Sequence, residues 1–344
     1  MNSTIPTRTT TIQTRLPRSP DLAVTAALDA YAELYSNLER VAIATLCKGG
    51  KLDKKAFLKD NGITGRQYNA LTRSAEGKID SQLSNFENYI AECRAKSAGQ
   101  KLRIEKKQEL IKDPKNAPKV GRLHKAIRQH KSRIQRLEAR KAGFERQLAA
   151  KRPSICMGSR KLFRQQFNLA ENGLENHAEW LALWRRERSS QLFVVGSKDE
   201  TSGCQGCVIL PQGDGLYTLR IRLPDALEAV HGQYCYVTDV AFSHDRHWLE
   251  QAIASNQARK VMQAEYNQRA KDPEFVGPLD KSSRFLEAFG QAISYRFVRD
   301  EKRGWRVLVT TERNGQAITT NRKNGAVGVD LNNHHLSVTE IDRR

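Results

Sequence analysis

The chain has 344 residues, 39% of them hydrophobic and 28% charged, which suits a sizeable buried core beneath a heavily solvated surface. No uninterrupted apolar run approaches the ~20 residues of a membrane span, and the opening "MNSTIPTRTTTIQTRL" lacks the apolar stretch of a signal peptide, so a cytoplasmic protein with no membrane partner is expected. Lys and Arg outnumber Asp and Glu by 58 to 38, a net charge of +20 that calls for a polyanionic partner, because each phosphate neutralised releases condensed counterions.

In chain order, "TTTIQTRLP" alternates β-branched and polar residues and predicts a short strand. "SPDLAVTAALDAYAELYSNLERVAIATL" opens with a helix-start signal and continues with apolar residues at helical spacing. Further helices are expected over "TGRQYNALTRSAEG" and "KIDSQLSNFENYIAECRAK", with a turn at Lys112–Lys119, where two prolines fall. Beyond it Val120, Leu123, Ile127, Ile134, Leu137, Phe144 and Leu148 recur at alternating three- and four-residue steps, with His130 and Lys141 in the two gaps. That is a heptad seam over about four repeats. Between Lys96 and Arg152 stand 19 basic and 5 acidic residues, so this stretch carries +14 and the other 287 residues share +6. The face bearing Lys125, Arg128, Arg133 and Arg136 either grips nucleic acid or is the solvated outside of a helical hairpin packed on the preceding helix. A third reading makes the seam a protein-interaction coiled coil.

After "KRPSICMGSRKLF" the character changes. The helical segment "LENHAEWLALWRRERSSQ" leads into expected strands at "QLFVVGS", "CVILP", "LYTLRIRLP" and "QYCYVTDVAF", with a hairpin from "AISYRFVRD" and "WRVLVTTE" across "EKRG". Between them "HDRHWLEQAIASNQARKVMQAEYNQRAKD" reads as helix and "KDPEFVGP" as loop. A final strand pair, "AVGVDL" and "HLSVTEI", follows the polar linker "NGQAITTNRKNG". The class is α+β, a β-rich domain with a helical region inserted after its first strand.

Asp330 is the candidate catalytic and metal-binding residue. In a strand, Val327, Val329 and Leu331 point one way, while Gly328 and Asp330 point the other. Such an Asp suits a first metal ligand in phosphodiester cleavage, where several carboxylates hold two divalent ions ~3.5–4 Å apart. Glu340 and Asp342 on the next strand carry no ligand signature, and His334, His335, Asn332 and Asn333 read as turn residues. Cys204 and Cys207 form a CxxC, but a structural zinc wants four ligands and no second CxxC exists. We read these cysteines as reduced thiols and expect no zinc. Arg160, Lys161 and Arg164, interleaved with Phe163 and Phe167, fit either single-stranded nucleic acid or the outside of an amphipathic helix with the aromatics in the core. Lys198, in "GSKDET", lies in a stretch that either binds backbone phosphates or forms a structural turn.

The stretches "GSRKLF" and "GSKDET", the basic helical insertion before them and the terminal "AVGVDLNNHHLSVTEID" together resemble the transposon-encoded TnpB (OrfB) proteins. More closely, the chain resembles the TnpB-related group that carries those two stretches, similar in plan to type V CRISPR effectors. The resemblance runs from about Ser154 to Arg344 in motifs and to the N-terminus in architecture. It implies a first wedge strand at 1–20, a helical recognition lobe with a basic hairpin at 21–152, a β-barrel-like wedge domain at 153–321, and the first β-hairpin of an RNase H-like (RuvC) domain at 322–344. It further implies an RNA-guided DNA endonuclease with guide RNA and target DNA as partners, and Asp330 as the first RuvC-like aspartate, a ligand of Mg2+ in the complete enzyme. The family's other catalytic carboxylates and its zinc-binding cysteines lie beyond that strand. The expectation is therefore a chain interrupted within its nuclease domain, or one completed by a downstream nuclease segment. The alternative is a nucleic-acid-binding regulator or remnant without catalysis.

Overall fold

A computed structural model describes residues 7–17, 22–200, 202–269, 271, 290–300, 302–314, 326–331 and 336–341. Strand β1 (Thr7–Arg15) is followed by α1 (Leu22–Cys47), which buries Leu28, Tyr31, Ala32, Tyr35, Leu38, Ala42 and Ile43 along one stripe. That three-and-four spacing is what makes the helix amphipathic, and each large side chain so buried contributes roughly 1.5–3 kcal/mol. A short helix, α2 (Lys54–Asn61), starts where the Asp53 carboxylate accepts from the Lys55 and Ala56 amides and stops at Gly62 in the left-handed region.

Helix α3 (Gly65–Lys112) begins with a full capping box between Thr64 and Gln67. It runs 48 residues without a break, although the sequence reading divides this region into two helices near Gly77. A glycine inside a helix costs about 1 kcal/mol relative to Ala, and the packing around it outweighs that. Ala70, Leu71 and Ala75 are buried, and Lys78 reaches the Glu39 carboxylate on α1 at 2.6 Å. Pro114–Lys119 forms a 3-10 turn at the expected place, and α4 (Val120–Ala149) returns antiparallel along α3. Cross-contacts Phe86–Phe144, Arg94–Glu145 and Gln100–His130 fix the register of this hairpin.

Beyond α4 the described residues alternate helices with most of the strands. Helices α5 (Arg160–Gln165) and α6 (His177–Arg188) enclose a small satellite core of Leu174, Trp180 and Trp184. Then come β2 (Gln191–Val194), β3 (Cys207–Gly213), β4 (Leu216–Arg222), the single turn α7 (Glu228–His231), β5 (Tyr234–Ala241), α8 (Arg246–Arg269), β6 (Ser294–Asp300), β7 (Gly304–Asn314), β8 (Ala326–Leu331) and β9 (Leu336–Ile341).

The strands form three antiparallel sheets, ordered β1-β7-β6-β2, β3-β4-β5 and β8-β9. The first strand thus pairs over its whole length with a strand some 300 residues later, from Thr7 opposite Asn314 to Arg15 opposite Arg306. Helices α1 to α4 lie between these partners in the chain. One core joins Tyr295, Phe297, Val307 and Val309 of the larger sheet with Leu219, Ile221, Cys235 and Val237 of the smaller and with the apolar stripe of α1. Asp29 of α1 ties helix to sheet by accepting from Arg299 Nη1 at 2.7 Å and Trp305 Nε1 at 3.1 Å. The protein is mixed α and β, and among the described residues these sheets are open: no barrel closes. The loop "KDPEFVGP" beyond Lys271, the linker over 315–325 and the turn with His334 and His335 lie outside the described residues.

Candidate nucleic-acid interface

Every position of the heptad seam is buried or half-buried, from Val120 through Ile127 and His130 to Leu148, and the seam is covered by α3 of the same chain. It is therefore satisfied intramolecularly, which removes the reason for a coiled coil with another chain. A 3.6-residue period then dictates what faces out. Lys125, Arg128 and Arg136 are exposed on the side of α4 away from the seam, and Arg133 is exposed at the seam's flank. Arg122 and Arg140, which the sequence reading did not single out, are exposed along the same length of helix, Arg122 on the outer side and Arg140 at the flank, over the Phe144 ring at 5.4 Å. At ~1.5 Å per residue the row from Arg122 to Arg140 is roughly 27 Å long, a length over which duplex DNA presents a phosphate charge every ~1.7 Å.

A separate groove lies near the C-terminal end of α4, on the side of the seam residue Phe144. Phe144 of α4 and Phe163, Phe167, Arg160, Arg164 and Arg188 line a cavity of about 960 Å³. Ser159 caps α5 by accepting from the Leu162 amide, which presents Arg160, Lys161 and Arg164 to solvent. Leu162 turns inward to the satellite core, whereas Phe163 and Phe167 are 43% and 72% exposed, with ring centroids 6.1 Å apart. An amphipathic helix with both phenylalanines in the core is thus not what forms. Arg188 stacks on Trp184 at 5.3 Å, and its Nε has no hydrogen-bond partner among the described residues. Burial, with Arg40 and Arg185 close by, lowers Arg188 from its ordinary value. Guanidinium groups held so close favour an anion between them. A second cleft of about 1050 Å³, between α3 and the four-stranded sheet, shares Arg188 and adds Arg73, Lys78 and Arg296. The arrangement can place phosphates on arginines and unpaired bases on exposed rings.

The "GSKDET" stretch is a structural turn. Gly196 passes so close to the β6 entry that a Cβ there would meet the Ile293 carbonyl oxygen at 2.3 Å, and Gly203, at φ +71°, would meet that of Gln291 at 2.3 Å. Glu200 is 1% exposed, pairs with Arg66 of α3 at 2.5 Å, and accepts from the Gln205 amide at 2.5 Å. Burial raises its carboxyl pKa, with Arg66 opposing. Arg259 of α8 donates to the Asp199 and Glu200 carbonyls at 3.0 and 3.3 Å. Among the described residues of this turn Ser197 bonds Asp199, Asp199 and Glu200 both pair with Arg66, and Lys198 is paired with Glu312 at 2.5 Å. Lys198 therefore stands apart from the exposed cations of α4, which the hairpin groups, and from Arg160 and Arg164, which line the groove.

Cys204 and Cys207 are both fully buried, and burial pushes the Cys204 thiol up to about 12 and Cys207 well above its ordinary value. These are neutral thiols packed in the core at ordinary pH. Asp330 lies on β8 opposite Ser337 of β9. Among the described residues no group of three or more His, Cys, Asp or Glu is arranged to hold a metal ion. A single aspartate does not fit a two-metal centre on its own, so no catalytic step is derived through one. No described helix is long and apolar enough to cross a membrane. No protein-family model matches the chain, and no curated protein matches it.

Proposed function

We propose that this chain binds RNA and DNA as the recognition part of a TnpB-like, RNA-guided DNA endonuclease acting in the cytoplasm. The observation that carries the reading is the row of exposed basic residues on α4 from Arg122 to Arg140, outside a seam already covered by α3. In this reading α1 to α4 are the recognition lobe, and the β1-β7-β6-β2 and β3-β4-β5 sheets are the wedge. The β8–β9 hairpin is then the start of a RuvC-like domain. Backbone phosphates of a guide RNA and of the guide–target duplex lie along the row, and base pairing rather than the protein reads sequence. Asp330 is one Mg2+ ligand of the nuclease site, whose remaining ligands come from outside the described residues.

The test is a fourfold charge reversal, Lys125→Glu, Arg128→Glu, Arg133→Glu and Arg136→Glu. All four side chains are exposed, so the fold should persist by circular dichroism. Affinity for a structured RNA of about 100 nucleotides should fall at least ~100-fold, since each lost phosphate contact removes a counterion-release contribution. Unchanged affinity with an intact fold would overturn the assignment of the row.

A further inference from the structure

The three-stranded sheet has a second face whose residues the basic hairpin does not use. Strand β4 alternates cleanly, with Tyr217, Leu219 and Ile221 buried and Thr218, Arg220 and Arg222 turned the other way. On β5 Cys235, Val237 and Val240 are buried, while Tyr234 and Tyr236 are 37% and 51% exposed. Antiparallel register sets Arg220 opposite Tyr236 and Arg222 opposite Tyr234. Both guanidinium groups gather on Tyr234, Arg222 from directly opposite and Arg220 from the diagonal position. Arg220 and Arg222 lie 5.2 and 5.7 Å from the Tyr234 ring centroid, and the two tyrosine rings are 6.5 Å apart. A cleft of about 700 Å³ opens beside Tyr234, lined by Lys54, Asn69, Gln205, Arg220 and Arg222 among others. Arg222 is neutralised by Asp225 at 2.6 Å, whereas Arg220 has no ion pair among the described residues.

Single exposed aromatics are ordinary. Two adjacent tyrosines on a solvent face, with guanidinium planes stacked against one of them, form a platform. Its chemistry is that of π-faces for bases and cations for phosphates. The 6.5 Å between rings exceeds the ~3.4 Å rise per nucleotide of a duplex strand, so bases on both rings must be splayed, as only a single strand allows. The Asn69 amide, whose Oδ1 also accepts from Lys54 at 3.3 Å, and the Gln205 amide supply donors and an acceptor for base edges and for a ribose 2′-hydroxyl, which favours RNA over DNA. We infer that the outer face of β4–β5 is a single-stranded RNA site, with bases stacked on Tyr234 and Tyr236 and the backbone running past Arg220 toward Lys54.

This site rests on the reading of the chain as an RNA-binding protein, and the experiment separates the two. Fluorescein-labelled dodecauridylate is titrated into the full chain, and a copy carrying 4-thiouridine is cross-linked by light and mapped by mass spectrometry. Tyr234→Ala with Tyr236→Ala should raise the Kd about 10-fold or more and abolish a cross-link at residues 234–236, while Tyr234→Phe with Tyr236→Phe should stay within about 2-fold. The phenylalanine pair keeps the rings and guards against a folding artefact. Unchanged binding by the alanine pair, with the fourfold α4 variant still defective, would overturn the platform and leave the parent reading standing. A dodecathymidylate bound as tightly as the RNA would overturn the choice of RNA. No binding of dodecauridylate by the unmodified chain would overturn the platform, and the parent reading would fall with it only if structured RNA were not bound either.

Discussion

Glu39 holds a carboxylate at 2% exposure within α1, and two groups of α3 account for it: the Ser74 hydroxyl donates to Oε1 at 2.6 Å and the Lys78 ammonium pairs with Oε2 at 2.6 Å. Breaking a buried pair from one side leaves an uncompensated charge, which costs far more than the pair is worth. Lys78→Met should therefore destabilise the protein by roughly 3 kcal/mol in urea unfolding. Replacing Glu39 by Leu as well should restore most of the loss, because a well-packed apolar pair removes the stranded charge. If Lys78→Met were neutral, the pair would not be holding α1 to α3. Nothing in "SNLERVAI" marks Glu39 as buried, since its partner lies 39 residues away. The same limit applies to Phe163 and Phe167. Their spacing fits a core-facing helix and an open platform equally, and it is the Ser159 cap and the inward turn of Leu162 that decide it. Lys198 is a candidate through its place in "GSKDET", which fits a phosphate-binding and a structural turn alike, and it is Glu312, 114 positions on, that engages it.

At the scale of elements, the α3–α4 hairpin divides into what periodicity records and what it does not. A seam repeating every three and four residues is a property of one helix, so its buried positions could be read directly, His130 included. The continuity of α3 through Gly77 could not, because a local cost near 1 kcal/mol is set against packing with α1 that appears only in three dimensions. His130 also gives the hairpin a pH dependence. It is 8% exposed, its Nδ1 lies 2.7 Å from Gln100 Oε1, and its pKa is lowered by burial first and then by Lys107, Arg133 and Arg103. The unfolded chain takes up a proton near the ordinary value of 6.5, while the folded chain resists until a lower pH. The unfolded state thus binds more protons in that window, and stability falls as pH drops below about 6.5. Thermal unfolding between pH 7.5 and 5 should show a decline that His130→Gln reduces. An identical decline in the variant would assign the effect to other groups.

Over the whole molecule, charge and topology coincide. The +14 stretch from Lys96 to Arg152 lies between strands β1 and β7, which pair with one another, so the basic hairpin projects from a chain closed at its base by a sheet. That the helical region follows a first strand was legible from the change in composition. The strand order β1-β7-β6-β2 and the opening of the sheets were not, because pairing between distant strands leaves no local pattern. Concentrating charge on one projecting element fixes how binding responds to salt. If Arg122, Lys125, Arg128, Arg133, Arg136 and Arg140 each neutralise one phosphate of a single strand, the plot of log K against log salt has a slope of about −4. Affinity then falls on the order of 100-fold or more between 50 and 200 mM salt. Removing four of the six by the charge reversal should flatten the slope by about 3, whereas the tyrosine-to-alanine pair should lower affinity at every salt concentration with little change of slope, because stacking releases no counterions. Anisotropy titrations at four salt concentrations separate these terms. A slope near zero for the unmodified chain would mean that the basic row is merely solvated, and a slope unchanged by the fourfold reversal would mean that phosphates are held elsewhere on the molecule.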